Sequence, residues 1–162
     1  MSLLFSAHEI FEMAEEIERN GAKFYRKTAE NVADPSSKKL LLEFASMEDE
    51  HLKTFSAMKS ALSGKAKESP TFDPNNEASL YLAALADTRV FFKKDVDTKS
   101  LEGIFKAALL AEKDSIVFYT GMNDLIPEAL GKDKLAAIIK EEMTHIRLLS
   151  DKLLALKKKS SK

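Results

Sequence analysis

The chain has 162 residues, enough for one domain with a substantial core, and a formal net charge of −1 that gives no overall field to draw it to nucleic acid or an anionic membrane. It contains no cysteine, which excludes disulfides, thiolate metal sites, iron–sulfur clusters and Cys-based redox chemistry. Charged residues make up 31% and hydrophobic ones 44%, with five Gly and four Pro, a balance that suits an all-helical protein.

The first ten residues lack a basic start and carry Glu9 where a signal peptide needs apolar residues, so no leader is expected there. Ser6-Ala7-His8-Glu9 has the form of a capping box and predicts the start of the first helix. Its core stripe reads Phe11, Ala14, Glu18, Gly21, Tyr25, Thr28, at the three-to-four spacing of one helix face. Asp34-Pro35 predicts the N-cap and first turn of a second helix. That helix carries Leu41, Phe44, Glu48, His51, Phe55, Met58 and Leu62 on one stripe, and is expected to stop near Ser63-Gly64. Residues 64–99 form a long connection, broken early by Pro70 and Pro74, with a short helix expected over 77–86 and running on towards Phe92.

A third helix is expected over about 100–126, with Leu101, Ile104, Ala108, Glu112, Ser115, Tyr119 and Met122 on its stripe. Pro127 and Gly131 mark a short turn. A fourth helix is expected over about 133–157, with Leu135, Ile138, Glu142, His145, Leu149, Leu153 and Leu156. The short links predict two antiparallel hairpins, about 6–63 and 100–157. The long connection predicts a crossover that lets the second and third helices run parallel, so the expected fold is a single four-helix bundle. Lys157-Lys158-Lys159 reads as a solvated tail whose cations suit a helix C-terminus. No segment offers the roughly 20 apolar residues that span a bilayer, and the chain reads as soluble and cytoplasmic.

The two hairpins are copies of one unit. Glu18 pairs with Glu112, Phe24-Tyr25 with Phe118-Tyr119, and Glu48-x-x-His51 with Glu142-x-x-His145, every pair 94 positions apart. Each Glu and its Glu-x-x-His lie equidistant from the turn of their hairpin, near Asp34-Pro35 or at Pro127, and so stand level across it. Four carboxylates and two imidazoles thus converge from apolar stripes. Left ionised and unpaired, each carboxylate would cost several kcal/mol of desolvation, and two divalent cations would balance the four charges. Glu and His at i and i+3 share a helix face, so each Glu-x-x-His can serve one ion. Glu18, Glu48, His51, Glu112, Glu142 and His145 are therefore the expected metal ligands. Iron, manganese and zinc all accept this donor set.

Tyr25 and Tyr119 have two readings of equal weight. They donate hydrogen bonds to ligand carboxylates, or they are core aromatics with satisfied hydroxyls. Gly21 and Ser115 are small where a large side chain would crowd the ions, though close helix packing accounts for them nearly as well. His8 has no matched partner, since Glu102 stands 94 positions on, and is expected at the surface.

Taken together, Glu18…Phe24-Tyr25, Glu48-x-x-His51, Glu112…Phe118-Tyr119 and Glu142-x-x-His145 resemble the diiron domain of rubrerythrins, within the ferritin-like superfamily, over about residues 6–156. The resemblance implies two irons, with Glu48 and Glu142 bridging, Glu18 and Glu112 terminal, and His51 and His145 each on one iron. Two departures stand out. Rubrerythrins append a four-cysteine rubredoxin module, and this chain has no cysteine, so its electrons come from an external donor, a rubredoxin-type protein being one candidate. Rubrerythrins also carry an extra Glu one turn along the third helix, where Ser115 stands here, or Asp114 if the alignment slips by one.

The resemblance implies a non-haem diiron oxidoreductase that reduces peroxide or dioxygen in defence against oxidative stress. Ferritin-like iron oxidation and sequestration, or simple metal holding, are the alternatives. The connection's apolar residues Tyr81, Val90, Phe91 and Phe92 exceed what a loop needs, and a homodimer is expected, with cover of the chain's own bundle as the other reading.

Overall fold

The first helix begins where the capping box places it. The Glu9 backbone N–H donates to Ser6 Oγ at 3.2 Å, and the Ser6 backbone N–H donates back to Glu9 Oε2 at 2.8 Å. In the computed structural model, which describes residues 5–62, 80, 82, 98–126 and 128–162, helix α1 spans Ala7–Glu30. Asp34 caps α2, Pro35–Ser60, by accepting from the Ser37 backbone N–H at 2.9 Å, with Pro35 in the first turn. Ser100 caps α3, Leu101–Asn123, in the same way through Gly103. A 3-10 turn, Glu128–Leu130, leads to α4, Lys132–Ser160. Among the described residues there is no strand and no helix long and apolar enough to cross a membrane.

Three boundaries differ from the sequence reading. Helix α2 ends at Ser60 with Ala61 as C-cap, while Ser63 and Gly64 lie outside the described residues. Helix α3 stops at Asn123, before 126, because Leu125 and Ile126 turn in to join the core, and the Leu125 N–H bonds to the Met122 carbonyl at 3.0 Å. Helix α4 runs on to Ser160, its last turn carrying Lys157, Lys158 and Lys159 at the negative end of the helix dipole. Gly131, which precedes α4, has φ 103°, a conformation that glycine adopts without strain. Pro127 and the apolar residues Tyr81, Val90, Phe91 and Phe92 fall outside the described residues, as does the crossover helix expected over 77–86 except at Leu80 and Leu82, both helical.

Cross-helix contacts give the directions. Tyr25 meets Glu112 while Tyr119 meets Glu18, so α1 and α3 are antiparallel. His51 meets Glu141 while His145 meets Met47, so α2 and α4 are antiparallel as well. Arg26 pairs with Asp49 and Glu15 with Lys59, which makes α1 and α2 an antiparallel hairpin. Helices α2 and α3 consequently run parallel, and the connection between them joins opposite ends of the bundle, as its length predicted.

The repeat extends into the core. Ile10, Phe11 and Ala14 match Ile104, Phe105 and Ala108 at the same 94-residue offset, and all six are buried. The apolar core forms two clusters. One holds Phe11, Ile17, Phe55, Phe118 and Ile138, the other Tyr25, Phe44, Ala108 and Leu149. On every helix the polar stripe residues stand between members of the two clusters, so a polar layer divides an otherwise apolar interior. Leu82 is fully buried in the first cluster while Leu80 is 61% exposed. Leu82→Ala should cost about 2–5 kcal/mol in urea denaturation, and Leu80→Ala should be near neutral.

Candidate metal centre

Each of the four helices brings polar groups to this layer: Glu18 from α1, Glu48 and His51 from α2, Glu112 from α3, Glu142 and His145 from α4, all buried. Their ligand atoms form two groups of metal-site form. One is Glu18, Glu48, His51 and Glu142; the other is Glu48, Glu112, Glu142 and His145. Within each group the donor atoms lie within 4.8 Å of one another, and Glu48 and Glu142 belong to both. All six residues expected from the sequence are thus brought together, and the pseudo-twofold repeat becomes two halves sharing two carboxylates.

Both histidines turn Nδ1 inward. His51 Nδ1 lies 3.0 Å from Glu142 Oε1 and 3.4 Å from Glu18 Oε2. His145 Nδ1 lies 3.1 Å from Glu142 Oε2, 3.2 Å from Glu112 Oε1 and 3.4 Å from Glu48 Oε1. These are ion-pair distances, yet Glu18 Oε2, Glu48 Oε1, both Glu142 oxygens and His51 Nδ1 are buried without a hydrogen bond of proper geometry. Buried polar atoms are rarely left so. These atoms belong to residues of the two groups, and they fit a pair of bound cations.

Protons partly substitute for that charge. Burial pushes the Glu48 carboxyl well above the usual range, and repulsion from Glu142, Glu18 and Glu112 adds to it. Burial and Glu142 push Glu112 up as well, against the pull of His145. Burial would also raise Glu142, but its contacts with Glu112, His145 and His51 win and hold it well below that range. Burial would lower both imidazoles. Glu142 and Glu18 instead raise His51 to about 11, and Glu112 and Glu142 raise His145 to about 9.

The tyrosines take the first of their two readings, and do so crosswise. Tyr25 donates its hydroxyl proton to Glu112 Oε1, and Tyr119 donates to Glu18 Oε1. Each tyrosine thereby fixes the carboxylate of the opposite hairpin. Burial, together with the Glu112 or Glu18 charge, raises both phenols well above their usual value, which keeps them donors. Gly21 is small for a local reason: a Cβ there would stand 3.1 Å from Glu48 Oε2. Ser115 is buried and donates to the Ala111 carbonyl at 3.0 Å. His8 stays near the surface, 3.7 Å from Glu12.

Two features escaped the sequence reading. The outward nitrogen of His51, Nε2, sits 2.7 Å from Glu141 Oε2, and that of His145 sits 3.3 Å from Met47 Sδ. Residues 47 and 141 are themselves 94 apart, each preceding the Glu of a Glu-x-x-His, so the repeat held the signal. Glu15 is also buried, 2.6 Å from both Ser56 Oγ and Lys59 Nζ, as a link between α1 and α2.

A four-helix bundle with two such halves defines a carboxylate–histidine protein of ferritin-like architecture. A solved structure from Thermotoga maritima, described as a ferritin-like diiron-carboxylate protein, has this fold, with a TM-score of 0.71 and 22% identity over 94% of this chain and 97% of that chain. No curated protein matches the chain. Residues 9–153 match the family model described as Rubrerythrin, and the chain belongs to that family.

Proposed function

We propose that the protein is a non-haem diiron oxidoreductase that reduces peroxide or dioxygen with electrons from an external donor. The observation that carries this reading is the pair of halves sharing Glu48 and Glu142, with their inward oxygens left unpartnered. In this reading Glu48 and Glu142 would serve both iron ions, Glu18 and His51 would hold one, and Glu112 and His145 would hold the other. When bound as a ferrous pair, the irons would supply the two electrons that reduce a peroxide.

The chain's own residues prepare that chemistry. Tyr25 and Tyr119 lock Glu112 and Glu18 in orientation, so the side carboxylates keep one oxygen inward. Phe55 and Tyr119 on one side and Phe44 and Tyr25 on the other flank the layer with apolar surface. Reduction of hydrogen peroxide to two waters takes two electrons and two protons. The chain has no cysteine, so the electrons that re-reduce the centre come from a partner or a small reductant. Manganese or zinc fits the same donors. Zinc has no redox chemistry, and between the other two iron is proposed because the solved structure that shares this fold is described as a diiron-carboxylate protein.

Stopped-flow mixing of the diferrous protein with hydrogen peroxide, and separately with dioxygen, tests the proposal. A near-ultraviolet band that returns faster than free ferrous ion oxidises is the expected result. Failure with both oxidants would leave only metal holding. Fast oxidation with iron accumulating well beyond two per chain would favour the ferritin-like alternative.

A further inference from the structure

The two halves share two carboxylates and match in their histidines, but what stands behind each histidine differs. His51 Nε2 faces the carboxylate of Glu141 at 2.7 Å, and His145 Nε2 faces the thioether of Met47 at 3.3 Å. A carboxylate accepts the imidazole N–H strongly, fixes the tautomer that leaves Nδ1 free to ligate, and makes that nitrogen a better donor to a cation. A thioether is a weak acceptor and does little of this. The ring faces differ too. Phe44 stacks on His145 with centroids 4.2 Å apart, and its repeat partner is Ile138. Finally, His51, Ile138 and Glu141 line a surface cleft of about 420 Å³, whereas His145 is fully buried.

We infer that the two halves bind metal unequally, the half with His51 being filled first and most tightly because Glu141 acts as a positioning residue for His51. The half with His145, backed by Met47 and covered by Phe44, is filled second and emptied first. The inference rests on the two-metal reading of the site, and it predicts a preference that the symmetric ligand set alone would not produce. The cleft works in the same direction, since it reaches the outer edge of His51 and not that of His145.

The test is titration of the metal-free full-length chain with cobalt(II) at pH 7 against a competing chelator, followed by calorimetry and visible absorption. Two cations repel one another in any shared site, so separate steps in the parent protein do not decide the matter; the variants do. Glu141→Met should weaken the first step about 10–100-fold and leave the second in place, as loss of such a supporting group does elsewhere. Glu141→Asp should restore most of it. Met47→Glu should tighten the second step by a similar factor. With one ion bound, His145→Ala should hold cobalt more tightly than His51→Ala. Equal melting of the metal-free Glu141→Met and parent proteins would show that the effect is on metal and not on folding, as expected for a side chain that is 50% exposed.

Two equivalents bound with affinities that Glu141→Met and Met47→Glu both leave unchanged would overturn the inference and leave the two-metal reading standing. No cobalt bound by the parent protein would overturn both. A single equivalent would support the inference if Glu141→Met weakens it, and overturn it if not.

Discussion

Glu142→Gln should destabilise the metal-free protein by about 3–5 kcal/mol, while Glu48→Gln should stabilise it by about 1 kcal/mol, although the two glutamates occupy matched positions of the repeat. The contrast follows from their neighbours. Glu142 lies against both imidazoles, at 3.0 Å and 3.1 Å, and is held ionised by them. An amide in its place leaves two buried imidazolium groups without their shared counter-charge. Glu48 is raised by burial and by three surrounding carboxylates, so its ionised form is the unfavourable one, and Gln copies the neutral form. Urea denaturation at pH 7 in the presence of a chelator measures both. Similar losses for the two variants would show that this charge layout is wrong. Under the two-metal proposal both variants should also lose most of their metal, because each shared carboxylate serves both halves.

The metal-free protein should lose stability as pH rises from about 7 to 9, and the metal-loaded protein should not. Both histidines have folded values above the ordinary one, about 11 for His51 and about 9 for His145. A raised group binds more protons in the folded chain than in the unfolded one. Its stabilisation is complete below the unfolded value and is lost as pH climbs through the folded value. Within the window the slope is about 1.4 kcal/mol per pH unit for each histidine that stays protonated only in the fold. Glu48 and Glu112, also raised, act with the same sign. Glu142 is lowered, so its contribution is present above the unfolded carboxylate value, is lost only as pH falls, and is flat across this range. Metal binding requires deprotonated imidazole, so loading should release protons, and the stabilisation it brings should grow with pH. Thermal melts at pH 7, 8 and 9, with and without metal, check the sign. An indicator dye in weak buffer counts the protons.

The helices, their hairpin pairing and the six polar residues that converge were legible in the chain, because each is written in local periodicity and in a repeat of constant offset. Glu18, Glu48 and His51 stood on apolar stripes where only burial explains them, and the 94-residue copy doubled that signal. Capping residues such as Ser6 and Asp34 placed helix starts well, since the cap acts within one turn. Ends were placed less well: α3 stopped at Asn123 because Leu125 and Ile126 are drawn into a core built by the other helices. What depends on contacts between distant segments emerged from the packing of the helices. Tyr25 serves Glu112 and not its own hairpin's Glu18, because the antiparallel crossing of α1 and α3 sets those heights level. Likewise, whether a histidine is backed by Glu141 or by Met47 is fixed by which side chain of α4 or α2 faces it across the bundle. The repeat gives the two halves the same ligands, and the packing around them makes the halves unlike.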